Sequence, residues 1–198
     1  MLLAELHVHT TYSDGKDNVK RVLTAALDKR IDVIAITDHD CIEGSLEAEK
    51  IVLEEHLPIK VITASEITTE NGHIIAYGIK KDIESKMSLK ETCKEVRKAG
   101  GLSFLAHPFD IFRGGTVRLS SFNFVDGVEV LNARSFFNFL AKRYAIKFKK
   151  PGIGGSDAHS AEEVGKVLNL LKNSEVNSLL SSIVWSNMTS NCLNYYVL

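Results

Sequence analysis

Two rhythms of apolar positions run along the chain. Short continuous apolar runs, at residues 2–9 (LLAELHVH) and 32–37 (DVIAIT), read as strands. Between them, Val19, Val22, Leu23, Ala26, Leu27 and Ile31 follow the i, i+3, i+4, i+7 spacing of a helix packed on a sheet. The rhythm then repeats, with a helix predicted over 46–57 and stopped by Pro58, a strand over 59–64, and a strand over 73–78 after the turn signal Asn71-Gly72. Ser88 and Glu91 form a capping box for a helix carrying Leu89, Cys93 and Val96, ended by Gly100-Gly101. Strands are predicted at 102–106, 125–131 and 151–155, and a helix over 135–148. Val176, Leu179, Leu180, Ile183 and Val184 mark a closing helix, and residues 185–198 have no clear period.

This alternation predicts a parallel sheet, and polar residues gather just after the strands, as they do at the C-terminal mouth of a barrel. About seven strands can be counted, and 198 residues is short for an eight-stranded barrel, so a reduced or distorted version is expected, filling residues 1–198 as one domain. A flat doubly wound sheet would need a nucleotide-type glycine loop after the first strand, and His-Thr-Thr-Tyr-Ser-Asp-Gly is not one.

Composition narrows the classes. A net charge of −1 gives no global attraction to nucleic acid or anionic membrane. The start, MLLAELHVHTT, has neither a basic stretch nor a small-residue cleavage site, and no apolar run approaches a bilayer span, so the expectation is a soluble, cytoplasmic protein without a membrane partner. Cys41, Cys93 and Cys192 are too dispersed for a disulfide framework or a zinc ribbon.

The histidines carry the chemical signal. If 2–9 is a strand, His7 and His9 project from one face and Val8 from the other, bringing two imidazoles to one point. Of seven histidines, at 7, 9, 39, 56, 73, 107 and 159, all but His56 lie at the edge of a predicted strand or in the turn after it. Asp14, Glu66 and Asp157 fall at the same level, so nine potential ligands collect on one rim: His7, His9, Asp14, His39, Glu66, His73, His107, Asp157 and His159. One ion uses three or four ligands, so nine argue for a cluster. Nitrogen and oxygen donors without thiolate suit divalent Zn, Mn or Fe.

The string His7-Val8-His9 with Ser13-Asp14-Gly15, then Thr37-Asp38-His39-Asp40, Ser65-Glu66, Ala106-His107-Pro108 and Ser156-Asp157-Ala158-His159 resembles the signature of the PHP (polymerase and histidinol phosphatase) family. The resemblance implies an α/β fold, a distorted seven-stranded (β/α)7 barrel, and a trinuclear metal site of phosphoesterase type. On that template His7, His9, Glu66 and Asp157 hold one ion. Glu66 bridges to a second that His107 and His73 complete, and Asp14, His39 and His159 hold the third. Asp38 and Asp40 are expected either to orient His39 and its neighbours or to shape the turn.

The expected reaction is hydrolysis of a phosphate ester of a small phosphorylated metabolite or nucleotide. Bound ions lower the pKa of water to supply hydroxide and neutralise phosphate oxygens, so no Ser or Cys nucleophile is required. Asp157 or His159 is expected to shuttle the proton, and Arg134, after the strand VEVLN, to fork the phosphate, whereas Arg113 is expected to lie in solvent. The alternatives are a 5′-end nuclease using the basic run 142–150, an amidohydrolase, which needs a lysine at a strand end, and a non-catalytic metal-binding scaffold. The sequence leaves the oligomeric state open.

Overall fold

The computed structural model describes residues 1–171 and, as backbone, a strand at 195–197; the predicted closing helix lies outside the described residues. The wall is built from β1 (Leu2–Val8), β2 (Val33–Ile36), β3 (Lys60–Thr69), β4 (Gly72–Tyr77), β5 (Leu102–Leu105), β6 (Gly127–Asn132) and β7 (Gly152–Gly155). These seven follow one another round the sheet in chain order, β8 (Val167–Leu171) extends it beyond β1, and β9 (Tyr195–Val197) forms the edge. The result is a distorted, nearly closed α/β barrel. It closes where Val8 and Ala158 form a bridge, with the His9 amide donating to the Ala158 carbonyl at 2.8 Å. Asn169 of β8 completes the seam, accepting from the Gly154 amide at 2.8 Å and donating to the Ala4 and Gly154 carbonyls.

The sheet is not parallel throughout. β4 runs antiparallel to both β3 and β5, and β8 runs antiparallel to β1. The turn at Asn71-Gly72 is the reason for the first departure: only Glu70 and Asn71 link β3 to β4, which closes a hairpin, and a parallel return needs a crossover of a dozen residues or more. β8 was absent from the sequence reading, because five residues such as VLNLL fit a helix and a strand equally well.

Among the described residues four helices cover the outside: α1 (Val19–Asp28), α2 (Glu43–Glu54), α3 (Leu89–Lys98) and α4 (Asn138–Lys147). α1 starts where the Asn18 side chain accepts from the Arg21 amide, and it buries Val19, Val22, Leu23 and Ala26. α3 is capped by Ser88 as expected, the Ser88 side chain accepting from the Glu91 amide, while the Glu91 carboxylate accepts from the Ser88 hydroxyl. α2 begins three residues before the predicted start, without a side-chain cap, and α4 begins at Asn138 rather than 135.

The interior below the mouth is filled by Ala4, Leu6, Val33, Ala35, Ile75, Tyr77, Phe104 and Ile153 among others. Tyr77 donates to the Leu6 carbonyl at 2.8 Å and meets Phe104 edge-on, 5.5 Å between centroids. Gly127 makes room for that ring, since a Cβ there would lie 2.0 Å from Phe104. Phe104→Ala is therefore expected to cost about 3–5 kcal/mol of stability in denaturant unfolding. Gly127→Ala should destabilise by ~1–3 kcal/mol through overpacking. Because both act on one contact, the double variant should be more stable than the sum of the single losses; strict additivity would refute the contact as the cause.

Candidate metal centre

The site is made by side chains from the C-terminal ends of the parallel strands and the loops after them, and by His73 from the N-terminal end of the antiparallel β4. β1 delivers the first two. Ala4 and Leu6 face the barrel interior, so unbroken alternation would put Val8 there too and turn His7 away. A register shift between Glu5 and Val8 reverses the phase: Val8 packs beneath α1, and His7 and His9 turn inward with their Nε2 atoms 3.1 Å apart. The loop after β1 then brings in Asp14. It is held by the buried Asp38 carboxylate, which accepts from the Thr10 amide and hydroxyl at 2.7 Å each and from the Ser13 hydroxyl at 2.8 Å. Asp40 accepts from the Thr68 amide at 2.7 Å. These two aspartates hold loops, and the expected contact of either with His39 is not among their hydrogen bonds.

Glu66 lies at the middle. Its Oε2 is 3.1 Å from His7 Nε2, 3.2 Å from His9 Nε2 and 3.6 Å from His39 Nδ1. Its Oε1 is 3.1 Å from His73 Nδ1 and 3.0 Å from His107 Nε2. Asp157 Oδ1 approaches His7, His9 and His159 at 3.8, 3.4 and 3.5 Å. Asp14 closes the outer side, 3.6 Å from His9, 3.9 Å from His39 and 3.2 Å from His159. All nine side chains singled out in the sequence thus fall into overlapping triads whose donor atoms lie within 4.8 Å of one another. His56 is exposed in the turn after α2, away from them. His107 (φ 26°) and Asp157 (φ 51°) hold left-handed backbone conformations, which cost non-glycine residues of order 1–3 kcal/mol each and are concentrated at functional sites.

The donor set fits divalent ions better than it fits itself. Five imidazoles share one carboxylate, and His9 Nδ1 and His107 Nδ1 are buried with no hydrogen-bond partner. Nitrogens and oxygens 3.0–3.2 Å apart are spaced as neighbouring ligands of one ion would be, since bonds of about 2.0–2.1 Å at tetrahedral angles put ligand atoms roughly 3.3 Å apart.

Electrostatics agree. Burial works to lower the His9 pKa, but hydrogen bonds to Asp157 and Glu66 outweigh it and raise it to about 9. His7 is likewise raised despite burial, by the charges of Asp157, Glu129 and Glu66. Burial works to raise Glu66, yet the His7 charge and hydrogen bonds to His107, His7 and His73 hold it well below the usual range. For Asp157 burial is outweighed by the His7 charge and the His9 hydrogen bond, and its pKa too is held well below the usual value.

The sequence reading passed over Glu129. It is fully buried on β6, its Oε1 accepting from His7 Nδ1 at 2.9 Å and its Oε2 from the His107 amide at 2.8 Å. A proton on Nδ1 leaves the Nε2 lone pair facing the centre, which is how a carboxylate behind a metal-bound histidine fixes its tautomer. The signal was a lone glutamate within the apolar strand VDGVEVL. Arg113 also departs from expectation. Its guanidinium is part-buried, donating to Asp157 Oδ2 through Nη2 and to Asn132 Oδ1 through Nη1 at 3.2 Å. Arg134 Nη1 stands farther off, 3.5 Å from the Asp157 carbonyl.

Fold and site define a distorted barrel with a cluster of metal-type ligands at its mouth. The PHP domain family model matches residues 5–147, and a PHP-associated model matches 136–184; the chain belongs to the PHP domain family. An uncharacterised protein of Methanocaldococcus jannaschii is 36% identical over 142 residues, 66% of this chain and 81% of that protein. The phosphoribosyl 1,2-cyclic phosphate 1,2-diphosphodiesterase of Eggerthella lenta is 31% identical over 107 residues, 51% of this chain and 40% of that protein. The 5′-3′ exoribonuclease Rnm of Escherichia coli is 33% identical over 84 residues, 41% of this chain and 29% of that protein. Among solved structures, a two-domain protein of Bacteroides vulgatus containing a predicted PHP-like metal-dependent phosphoesterase superposes with a TM-score of 0.77 at 19% identity, over 94% of this chain and 63% of that one.

A pH prediction follows for the protein kept in chelator. With the His9 pKa raised from 6.5 to about 9, its stabilising contribution is complete below 6.5 and lost as pH rises through 9. Glu66 and Asp157, with lowered values, contribute above about pH 4 and lose that contribution on acidification. The melting temperature in chelator should therefore fall from pH 6.5 to 9, while the affinity for added Zn2+ should rise over the same interval as ions displace protons. A flat melting profile would contradict the charge assignment.

Proposed function

We propose that the chain hydrolyses a phosphate ester of a small phosphorylated metabolite or nucleotide, using three divalent ions. The observation that carries this reading is the single carboxylate of Glu66 set between five imidazoles. In this reading His7, His9, Glu66 and Asp157 would hold the first ion, Glu66 with His73 and His107 the second, and Asp14, His39 and His159 the third. When bound, such ions supply an activated water and neutralise the phosphate oxygens. Glu129 keeps the Nε2 lone pair of His7 turned to the centre. Arg113 and Arg134 take the non-bridging oxygens of the substrate, Arg113 from the nearer position. Asp157 is held ionised, and in this reading both expected proton carriers, Asp157 and His159, serve first as ion ligands.

One observation favours the nuclease reading. Phe112 and Phe136 are 86% and 92% exposed, within one and two residues of Arg113 and Arg134, and an aromatic face beside a phosphate site suits a stacked base. Against it, the basic run 142–150 covers the second half of α4 and the turn after it, and the parallel β6–α4–β7 crossover carries the end of that helix to the barrel end opposite the centre. No strand among the described residues ends in lysine, as the amidohydrolase alternative would need.

The test is hydrolysis of an aryl phosphate monoester and diester, a panel of phosphorylated metabolites, and 5′-phosphorylated oligonucleotides. Turnover should vanish in chelator and return with Mn2+ or Zn2+. Glu66→Gln should lose at least about 10²-fold in kcat together with bound metal, and Arg113→Ala should act mainly by raising KM. A metal-replete chain that turns over none of these esters would favour the scaffold alternative.

A further inference from the structure

Asn132, the last residue of β6, is 1% exposed and uses every hydrogen-bonding capacity of its side chain. Its Nδ2 donates to Glu129 Oε2 at 3.0 Å and to Asp157 Oδ2 at 2.9 Å. Its Oδ1 accepts from Arg113 Nη1 at 3.2 Å and from the Arg134 amide at 2.9 Å. Its backbone is held in turn by Asn138 at the start of α4, whose Oδ1 accepts from the Asn132 amide and whose Nδ2 donates to its carbonyl.

Two features make this arrangement specific. Residues three apart on a regular strand point to opposite faces, so Glu129 and Asn132 could not meet. The register shift between Glu129 and Leu131 brings them together. The chemistry also selects the residue type: two carboxylates on one side require donors, two N–H groups on the other require an acceptor, and an amide in one orientation supplies both. A carboxylate at 132 would face Glu129 and Asp157, and an apolar side chain would take one partner from each of the four groups.

We infer that Asn132 is a positioning residue that couples the phosphate-binding Arg113 to the ion-binding carboxylates, an inference resting on the hydrolase reading above. Through Asp157 and Glu129 it sets the donor atoms of the first ion, and through Arg113 and the Arg134 amide it sets the loop groups that receive the phosphate. Asn132 touches neither water nor ester; it acts through these neighbours.

The experiment compares wild type, Asn132→Ala, Arg113→Ala and the double variant. The readouts are Mn2+ affinity and inorganic phosphate affinity by titration calorimetry, KM and kcat on the best ester found, and thermal unfolding. Asn132→Ala should weaken Mn2+ binding about ten- to a hundredfold, the usual effect of removing a group that orients ligands, and weaken phosphate binding as well. Arg113→Ala should weaken phosphate binding with a smaller effect on Mn2+. In the double variant the loss of phosphate affinity should be smaller than the product of the two single losses, since part of the effect of Asn132 passes through Arg113. A lower melting temperature with Mn2+ and phosphate affinities within twofold of wild type would reduce Asn132 to a structural role and overturn the inference, as would losses that multiply in the double variant. Should wild type bind Mn2+ and turn over no ester, the hydrolase reading fails while the titrations still decide the role of Asn132; a wild type that binds neither Mn2+ nor phosphate overturns both.

Discussion

A buried carboxylate surrounded by imidazoles sets the terms for the rest of this molecule. Glu66 has its two oxygens within 3.6 Å of five histidine nitrogens contributed by β1, β4 and the loops after β1, β2 and β5. Protonating every ring would crowd like charges, and neutral rings, with one N–H each, would still leave ring lone pairs facing one another or the carboxylate. Divalent ions relieve both problems, because each accepts several lone pairs and matches the negative charge. The mouth of the barrel is therefore arranged for a charge that the polypeptide does not itself carry.

Reaching that arrangement takes local departures from regular structure. The register shift in β1 turns His7 and His9 inward beside a wall of Ala4 and Leu6, and the shift in β6 lets Glu129 and Asn132 share a face. Positive φ at His107 and Asp157 directs two more side chains to the centre. Gly155 lets β7 come close, since a Cβ there would lie 2.3 Å from Glu129 Oε1 and 2.5 Å from His7 Cβ. Such strain persists because the lower barrel, packed around Tyr77 and Phe104, and the hydrogen bonds of Asp38 and Glu129 hold the loops from both sides. Stability resides in the apolar interior, and the polar end is free to be shaped by ligand geometry.

Part of the architecture was plain in the residues. DVIAIT could only be a buried strand or a short helix segment, and its length and β-branched content decide for the strand; Ser88 with Glu91 marked the start of α3. The hairpin of β3 and β4 carried a turn signal at Asn71-Gly72, yet its antiparallel sense was lost in a reading that expected crossovers throughout. VLNLL, too short to show a period, gave no warning of β8. Arg113, placed in solvent by its glycine-rich surroundings, folds back because Asp157 and Asn132 offer it partners that lie 44 and 19 positions away.

The amino-acid sequence by itself determined the barrel of alternating elements and the set of nine side chains able to bind metal, because periodicity and residue chemistry are local properties of the chain. Tertiary structure alone decided that Glu66 is shared between five rings, that Glu129 and Asn132 support them from behind, and that Arg113 stands closer to the centre than Arg134. Those facts depend on the phase of two strand irregularities and on contacts between distant segments. Neither leaves a periodic trace in the order of residues.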